Sequence, residues 1–470
     1  MTKFGPVREA VEETIERIEA LNPKFRALVS VLADEARADA DESDARRAEG
    51  AWGGPLDGMT IAIKDNIDTA GKRTASGSRL FADHVPAEDA FVVRRIRRAG
   101  GVVLGKASMM ELAFGLRTRD AIAGQCLNPW AEDRVPGGSS GGSAASVALG
   151  FCDAALGTDT GGSVRMPSAL CGITGLRPTH GRVSNRGVRP VSVSFDTVGP
   201  MARNVGNVAR LYSVIAGYDP GDPHSRLSPF EDWTRTLDTD VRGIRIGIPR
   251  NFYFTDADPE IVSAVEEVSR GLEKAGAELV EIEVPNAESA HEYAMRIILA
   301  DACDLYADEL DNRREDISDQ VYERMVAGRQ LTGLDYAEAV RFREIWTRDA
   351  ELRFEDVDAI LMPTTPIVAP PVDDNKHLRD ATRTATRFTY GGSLAGLPGI
   401  SFPCGVSGDG LPIGALLETR RWSEAILFRL AARWQTDTDW HRRIPAVLSE
   451  FGLRKTGPRT GTQGEIQQRR

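Results

Sequence analysis

Cysteine is scarce in this chain and never paired. Five residues (Cys126, Cys152, Cys171, Cys303, Cys404) are spread over 470 positions without a CxxC motif. That number and spacing exclude a disulfide framework, argue against a structural zinc site, and read as reduced buried thiols of a cytoplasmic protein. Lysine is scarce too, with eight among 58 cationic residues, so a lysine inside a motif is seldom filler. Nowhere do about 18 apolar residues run without a charge, as a membrane span requires. The first twenty positions hold Lys3, Arg8, Glu9, Glu12, Glu13, Glu16 and Arg17. No secretion signal is read there, and the mature chain is expected to start at or near Met1. A net charge of −11 sets the chain against phosphate backbones. Neither nucleic acid nor membrane is an expected partner.

What is present is an ordinary globular composition, 41% hydrophobic and 27% charged. Apolar residues recur at helical spacing from Val7 to about Leu32 (Val11, Ile15, Ile18, Leu21), and a second, Ala-rich helical stretch covers Ala33–Ala48. Met59–Ile63 reads as a strand ending at Lys64-Asp65-Asn66. Phe91–Ala99 reads as a helix, Val102–Leu104 as a buried strand and Met109–Phe114 as the start of another helix. Alternating strand and helix units argue for a parallel α/β core. From about 115 to 205 the chain turns to Gly, Ser and Thr clusters with few periodic elements, which reads as functional loops. Beyond the Gly243–Pro249 strand come long amphipathic helices, Pro259–Ala275 and Glu288 to about Glu344. Strands at Ala359–Met362 and Gly396–Pro403 and a helix at Ser423–Trp434 complete the pattern. The expected organisation is an N-terminal helical segment over 1–50 packed on the core, one domain over 51–453 with a helical insertion at about 255–350, and a flexible tail over 454–470.

The sharpest local feature is Gly137-Gly-Ser-Ser-Gly-Gly-Ser143, followed by Gly157-Thr-Asp-Thr-Gly-Gly-Ser-Val-Arg165. Glycines in such loops bring main-chain N–H groups close to a ligand, as an anion or oxyanion pocket requires. Gly138-x-Ser140-x-Gly142 satisfies GxSxG, so an esterase with Ser140 on a nucleophile elbow is a competing reading. It needs strand, turn and helix in that order and a downstream histidine. The stretch Asn128–Pro136 is not strand-like, and none of His180, His224, His291, His377 and His441 sits in a recognisable signature. Gly100 to Ala107 mimics a phosphate loop but has Ala107 where Ser or Thr belongs, and His291-Glu292 lacks the second histidine of a zinc protease. No SxxK occurs, which removes the penicillin-binding type of Ser-Lys enzyme.

These residues resemble the amidase signature hydrolases. The likeness rests on KDNIDTAGKRTASGS (Lys64–Ser78), RVPGGSSGGSAA (to Ala145) and GTDTGGSVRMPSALCGITGLRPT (Gly157–Thr179). Weaker echoes lie at Ser194–Val205, Met362–Pro366, Ser393–Pro403 and Leu411–Leu417. The resemblance implies an α/β fold with a mixed, mostly parallel twisted sheet covered by helices on both faces. It also implies a Ser-Ser-Lys triad: Ser163 as nucleophile, Ser139 as bridging serine after a cis peptide from Gly138, and Lys64 as base. Main-chain N–H groups of Thr160, Gly161, Gly162 and Ser163 would form the oxyanion hole, while Gly138, Ser140, Asp159 and Arg165 would support the loops. Burial among polar neighbours would lower the Lys64 pKa toward neutrality so that it can accept a proton. No cofactor and no metal are implied. The partner is a small-molecule amide; a homodimer and a partner subunit both remain compatible with the sequence. The family includes the glutaminase-type subunits of tRNA-dependent amidotransferases, which carry an NLARYDG-like stretch where this chain reads Ile297 to Tyr306. They also place an acidic residue where this chain has Thr386. A stand-alone hydrolase of a small, aryl or alkyl amide or a urea-type compound is the favoured expectation, and a glutaminase-type subunit the alternative. Arg313, Arg314, Tyr322 and Tyr336 are weighed as carboxylate binders against the plainer reading of a solvated helical face.

Overall fold

The computed structural model describes residues 6–51, 53–229, 231–372 and 378–451. The expected tail over 454–470 and His377 lie outside them. Eleven strands form one sheet. In order across it they are Leu28–Val31, Val102–Ala107, Thr60–Lys64, Ala154–Asp159, Thr197–Ala202, Thr174–Arg177, Gly399–Val406, Pro412–Thr419, Ala359–Pro363, Arg245–Pro249 and Glu278–Ile282. Parallel pairing occupies the two flanks: Thr60–Lys64 with both its neighbours, and Arg245–Pro249 with both of its own. The middle is antiparallel. The strand and helix alternation legible in the sequence belongs to the flanks. In the antiparallel pair Gly399–Val406 with Pro412–Thr419 a short turn replaces a crossover helix.

Side chains alternate between the two faces along each strand. Ile61, Ile63, Leu361, Ala415 and Leu417 pack on one face with the helices Phe91–Arg98, Val205–Ile215, Pro259–Lys274 and Glu424–Asp437. On the other face Ala62, Val102, Leu104 and Ala155 join the helices Val7–Phe25 and Gly141–Ala148. Further along that face, Ile360, Met362 and Leu416 meet the helices between Ala290 and Asp356. Because Pro259–Lys274 packs on the first face, the helical layer over the second begins at Ala290, not near 255. The N-terminal helix follows its sequence pattern, with Val7, Val11, Ile15, Ile18, Leu21 and Phe25 buried. It ends at Phe25, short of Leu32, because Arg26 turns left-handed and Leu28–Val31 joins the sheet edge.

One expectation differs from the structure and another is incomplete. Met109–Phe114 is no helix: only a single 3-10 turn forms at Glu111–Ala113, where Leu112 and Ala113 adopt positive φ. The Gly/Ser/Thr region is mostly loop, as its sequence suggests, but it also supplies three strands of the large sheet and two short helices that the sequence did not reveal. These elements are buried on every side and therefore show no amphipathic period. Among the described residues no helix is long and apolar enough to cross a membrane.

Candidate active site

The Thr60–Lys64 strand is buried at all five positions and ends on Lys64, two residues beyond Ala62 and so on its face of the sheet. There the Lys64 ammonium nitrogen donates to Ser139 Oγ at 2.7 Å, to Thr158 Oγ1 at 2.7 Å and to the Thr158 carbonyl at 3.4 Å. Asn66 also donates to Thr158 Oγ1, at 3.2 Å. Burial pulls the Lys64 pKa down from 10.5 to about 7, against the opposing pull of Asp196 and Asp159. Ser139 is fully buried, follows a cis Gly138–Ser139 peptide bond, and lies just ahead of the Gly141–Ala148 helix. Gly138 packs so closely that a Cβ there would fall 2.6 Å from the Gly115 carbonyl.

The second glycine loop leaves the Ala154–Asp159 strand and leads into the Arg165–Leu170 helix. Asp159 shapes it from behind. Its buried carboxylate accepts from the backbone N–H of Gly162 at 2.8 Å and of Val164 at 3.2 Å, and from the Arg165 and Arg177 guanidiniums, each at 3.0 Å. Burial alone would raise the Asp159 pKa, but the two arginines hold it well below the usual carboxylate range. Arg165 reaches on to Glu418 at 3.1 Å, to Ser393 Oγ at 2.7 Å and to the Thr389 carbonyl at 3.0 Å. From the front, Thr389 Oγ1 donates to the Gly161 carbonyl at 2.6 Å. A Cβ on Gly161 would sit 2.4 Å from the Tyr390 ring, and one on Gly162, where φ is +125°, 2.2 Å from Thr389 Oγ1. Only glycine fits at either position.

The structure brings Lys64, Ser139, Thr158 and the loop carrying Ser163 together. Ser140 N–H donates to the Ser163 carbonyl at 3.3 Å. The Ser163 hydroxyl donates no hydrogen bond among the described residues and lines a cavity of about 40 Å³ with Gly138, Thr160 and Gly161. Of the four N–H groups expected in an oxyanion hole, that of Gly162 is turned inward to Asp159, while Thr160, Gly161 and Ser163 are residues that line the cavity. Ser140 is fully buried; its hydroxyl donates to the Thr158 carbonyl and accepts from the Thr158 N–H, both at 3.2 Å. That double engagement with backbone, with no histidine bonded to it among the described residues, disfavours Ser140 as a nucleophile.

Sequence reasoning missed several neighbours of the site. Thr158 lies in the quoted GTDTGGS stretch. Asp196 lies in SFDTVGP, and its buried carboxylate accepts from Thr160 Oγ1 at 2.5 Å and from the N–H groups of Val191 and Ser192. Burial pushes the Asp196 pKa up to about 6. The readable signal was a polar side chain inside an otherwise buried run. The weighed carboxylate binders are elsewhere: Arg313 pairs with Asp316 at 2.7 Å, Arg314 lies over the Tyr322 ring, and Tyr336 is surface-exposed. Arg324 lines the cavity instead, beside Phe114, Met295, Ile298 and Tyr390. Among the described residues no cluster of His, Cys, Asp and Glu is arranged to hold a metal.

Residues 9–428 match the family model for amidases. The chain is 40% identical over 465 residues to the A-type subunit of the glutamyl-tRNA(Gln) amidotransferase of Roseiflexus sp. (strain RS-1), covering 94% of this chain and 95% of the relative. A solved structure described as a vestigial protein complex revealing the origins of an s-triazine catabolic enzyme superposes with a TM-score of 0.87 at 33% identity, over 92% and 95% of the two chains. The peptide amidase of Stenotrophomonas maltophilia gives 0.81 at 32% identity, over 92% and 94%.

Proposed function

Because the chain belongs to the amidase family, we propose that it hydrolyses a small amide to a carboxylic acid and ammonia or an amine, through Ser163, Ser139 and Lys64. The observation that carries this reading is the buried Lys64–Ser139 contact of 2.7 Å at a lysine whose pKa lies near 7. A neutral lysine has a lone pair to accept a proton, and Ser139 stands between it and the loop of Ser163. Ser163 Oγ attacks the amide carbonyl carbon as its proton passes by way of Ser139 to Lys64. The oxyanion that develops faces the N–H groups of Thr160, Gly161 and Ser163, a type of contact worth several kcal/mol of barrier. Collapse breaks the C–N bond, and Ser139 returns the proton to the departing nitrogen. Water, deprotonated by the same relay, then attacks the acyl-Ser163 ester, and the Ser163 oxygen leaves with the proton. Asp159 and Arg165 act on the loop's shape and not on the substrate.

The walls of the cavity favour a stand-alone amidase. Phe114, Met166, Val191, Met295, Ile298 and Tyr390 are apolar or aromatic, and Arg324 is the one charged side chain among the described lining residues. Such walls suit an apolar amide. Among the described lining residues no carboxylate faces the ammonium of an amino acid, and Thr386 stands where the amidotransferase subunits have an acid. The 40% identity to an amidotransferase component supports a second reading, glutamine hydrolysis on behalf of a partner chain.

Mass-spectrometric mapping after reaction with a serine-directed fluorophosphonate tests the chemistry without a substrate. The expected result is labelling at Ser163 that disappears in Ser163→Ala and Lys64→Ala. Labelling at Ser140 that survives Lys64→Ala overturns the mechanism. Ammonia release from glutamine, but not from simple amides, would replace the stand-alone reading with the amidotransferase reading.

A further inference from the structure

A second and larger cavity, of about 250 Å³, lies at the other end of the short Tyr390–Leu394 helix. Its walls carry three guanidiniums, Arg226, Arg343 and Arg421, together with His180, the Trp422 indole and the Leu394–Gly396 backbone. Arginine stays charged at all ordinary pH, and a guanidinium fork matches carboxylate and phosphate geometry. Arg421 is balanced by an ion pair with Glu351. The other two donate their hydrogen bonds to neutral oxygens, with Asp301 acting on Arg343 from beyond ion-pair distance and the Phe195 ring lying 4.6 Å from its guanidinium. Arg343 donates to the carbonyls of Leu394 at 3.0 Å and Ser194 at 2.8 Å, and Arg226 to those of Pro223 at 3.1 Å and Ser225 at 3.3 Å. Neither has a carboxylate within ion-pair distance among the described residues. Two guanidiniums without an ion pair among the described residues, on one concave surface with a third, offer a place for a negative charge from outside.

The aromatic wall is also fixed in place. Trp422 takes a positive φ of 69° and donates its backbone N–H to Thr179 Oγ1 at 2.8 Å. Arg182 lies 5.6 Å from its ring, and 39% of the residue remains exposed. A held, partly exposed indole beside two guanidiniums suits a flat anion, stacked on the ring and gripped at its acid group. The volume lies just under the range of about 300–1,000 Å³ usual for ligand sites, which limits the guest to roughly one ring and its acid group.

We propose that this cavity, distinct from the one at Ser163, binds a small planar organic anion, a single-ring carboxylate or phosphate ester, through Arg226, Arg343 and Trp422. The readout is independent of amide hydrolysis, so it stands or falls separately from the proposed activity. Calorimetric titration of the full chain with benzoate, phenyl phosphate and inorganic phosphate tests it. Saturable binding of benzoate or phenyl phosphate is expected, and the tighter of the two identifies the acid group. Removing one charge-assisted contact weakens binding by about tenfold or more, so Arg226→Ala should do so, while Trp422→Ala, which removes the stacking surface, should weaken the two aromatic anions and leave inorganic phosphate unaffected. Both side chains are exposed, and an unchanged thermal midpoint establishes that the variants fold. Binding should survive Arg324→Gln. The proposal is overturned by the absence of saturable binding, by equal affinity for inorganic and phenyl phosphate, or by binding that Arg324→Gln abolishes while Arg226→Ala leaves it intact.

Discussion

In the proposed mechanism the charge state of Lys64 governs the activity, which pH alone can probe. Burial brings its pKa to about 7, and the proposed mechanism uses the neutral amine. At pH 6 about one-tenth of the lysine is neutral and at pH 5 about one-hundredth, so kcat/KM should fall about tenfold per pH unit below 7 and be flat above it. Asp196 supplies the sharper perturbation. Its carboxylate, with a pKa near 6, is ionised at neutral pH and favours the ammonium form of Lys64. Asp196→Asn removes that negative charge while an amide oxygen can still accept from Thr160 Oγ1, now 2.5 Å from the carboxylate. The acid limb should therefore move to lower pH. The assay is kcat/KM for a neutral, non-titrating amide from pH 5 to 9.5. A limb near 10.5 would mean an ordinary solvated lysine, and a flat profile would remove Lys64 as the base. A limb displaced upward by Asp196→Asn would refute the electrostatic argument.

The same lysine has a signature in stability. It is protonated in the unfolded chain up to about 10.5 but neutral in the folded chain above about 7, so the unfolded state binds the extra proton between those values. Lys64 therefore makes stability fall as pH drops from 10.5 to 7, by about 1.4 kcal/mol per unit, and denaturant titrations of inactive Lys64→Leu should lose that slope. Gly161→Ala places a Cβ 2.4 Å from the Tyr390 ring. It should cost about 1–3 kcal/mol in chemical denaturation, and the added Tyr390→Ala change should recover part of the loss. Arg177→Leu leaves the buried Asp159 carboxylate with one cation instead of two and orphans the Phe195 carbonyl. A loss of about 3–5 kcal/mol is expected by the same measurement.

Elements with one wet face were legible from sequence. Val7–Phe25 and Pro259–Lys274 show their apolar stripes, and their buried residues are those of the stripe. The strand Thr60–Lys64 was legible from its apolar run, displaced by one residue. The centre of the molecule was not. In Ala154–Asp159 and Gly141–Ala148 every residue is buried, so no alternation distinguishes strand from helix, and small residues lower the propensity signal further. The proposed site residues were legible for another reason. Lys64, Ser139 and Ser163 stand in motifs that resemblance picks out, whereas Thr158, Asp196 and Arg177 are defined by partners 18 to 94 positions away that only the fold brings near.

The burial that hides these elements also makes the site workable. An unpaired carboxylate in such a core would be prohibitive, yet Asp159 is held by two guanidiniums and two loop N–H groups at once. Its ionisation is thereby secured, and its geometry decides which loop amides face inward. Gly162 and Val164 turn their N–H groups to Asp159, and the proposed mechanism uses those of Thr160, Gly161 and Ser163, which line the cavity. The glycines let Tyr390 and Thr389 press against the loop and keep that division from relaxing. Lys64 reverses the logic of Asp159: with hydroxyls and one carbonyl as its neighbours and no carboxylate in contact among the described residues, it is left to lose its proton. Two buried ionisable groups at the ends of adjacent strands are thus driven to opposite outcomes by their partners, one fixed as a charge that shapes the loop, the other neutral enough to take a proton from a serine.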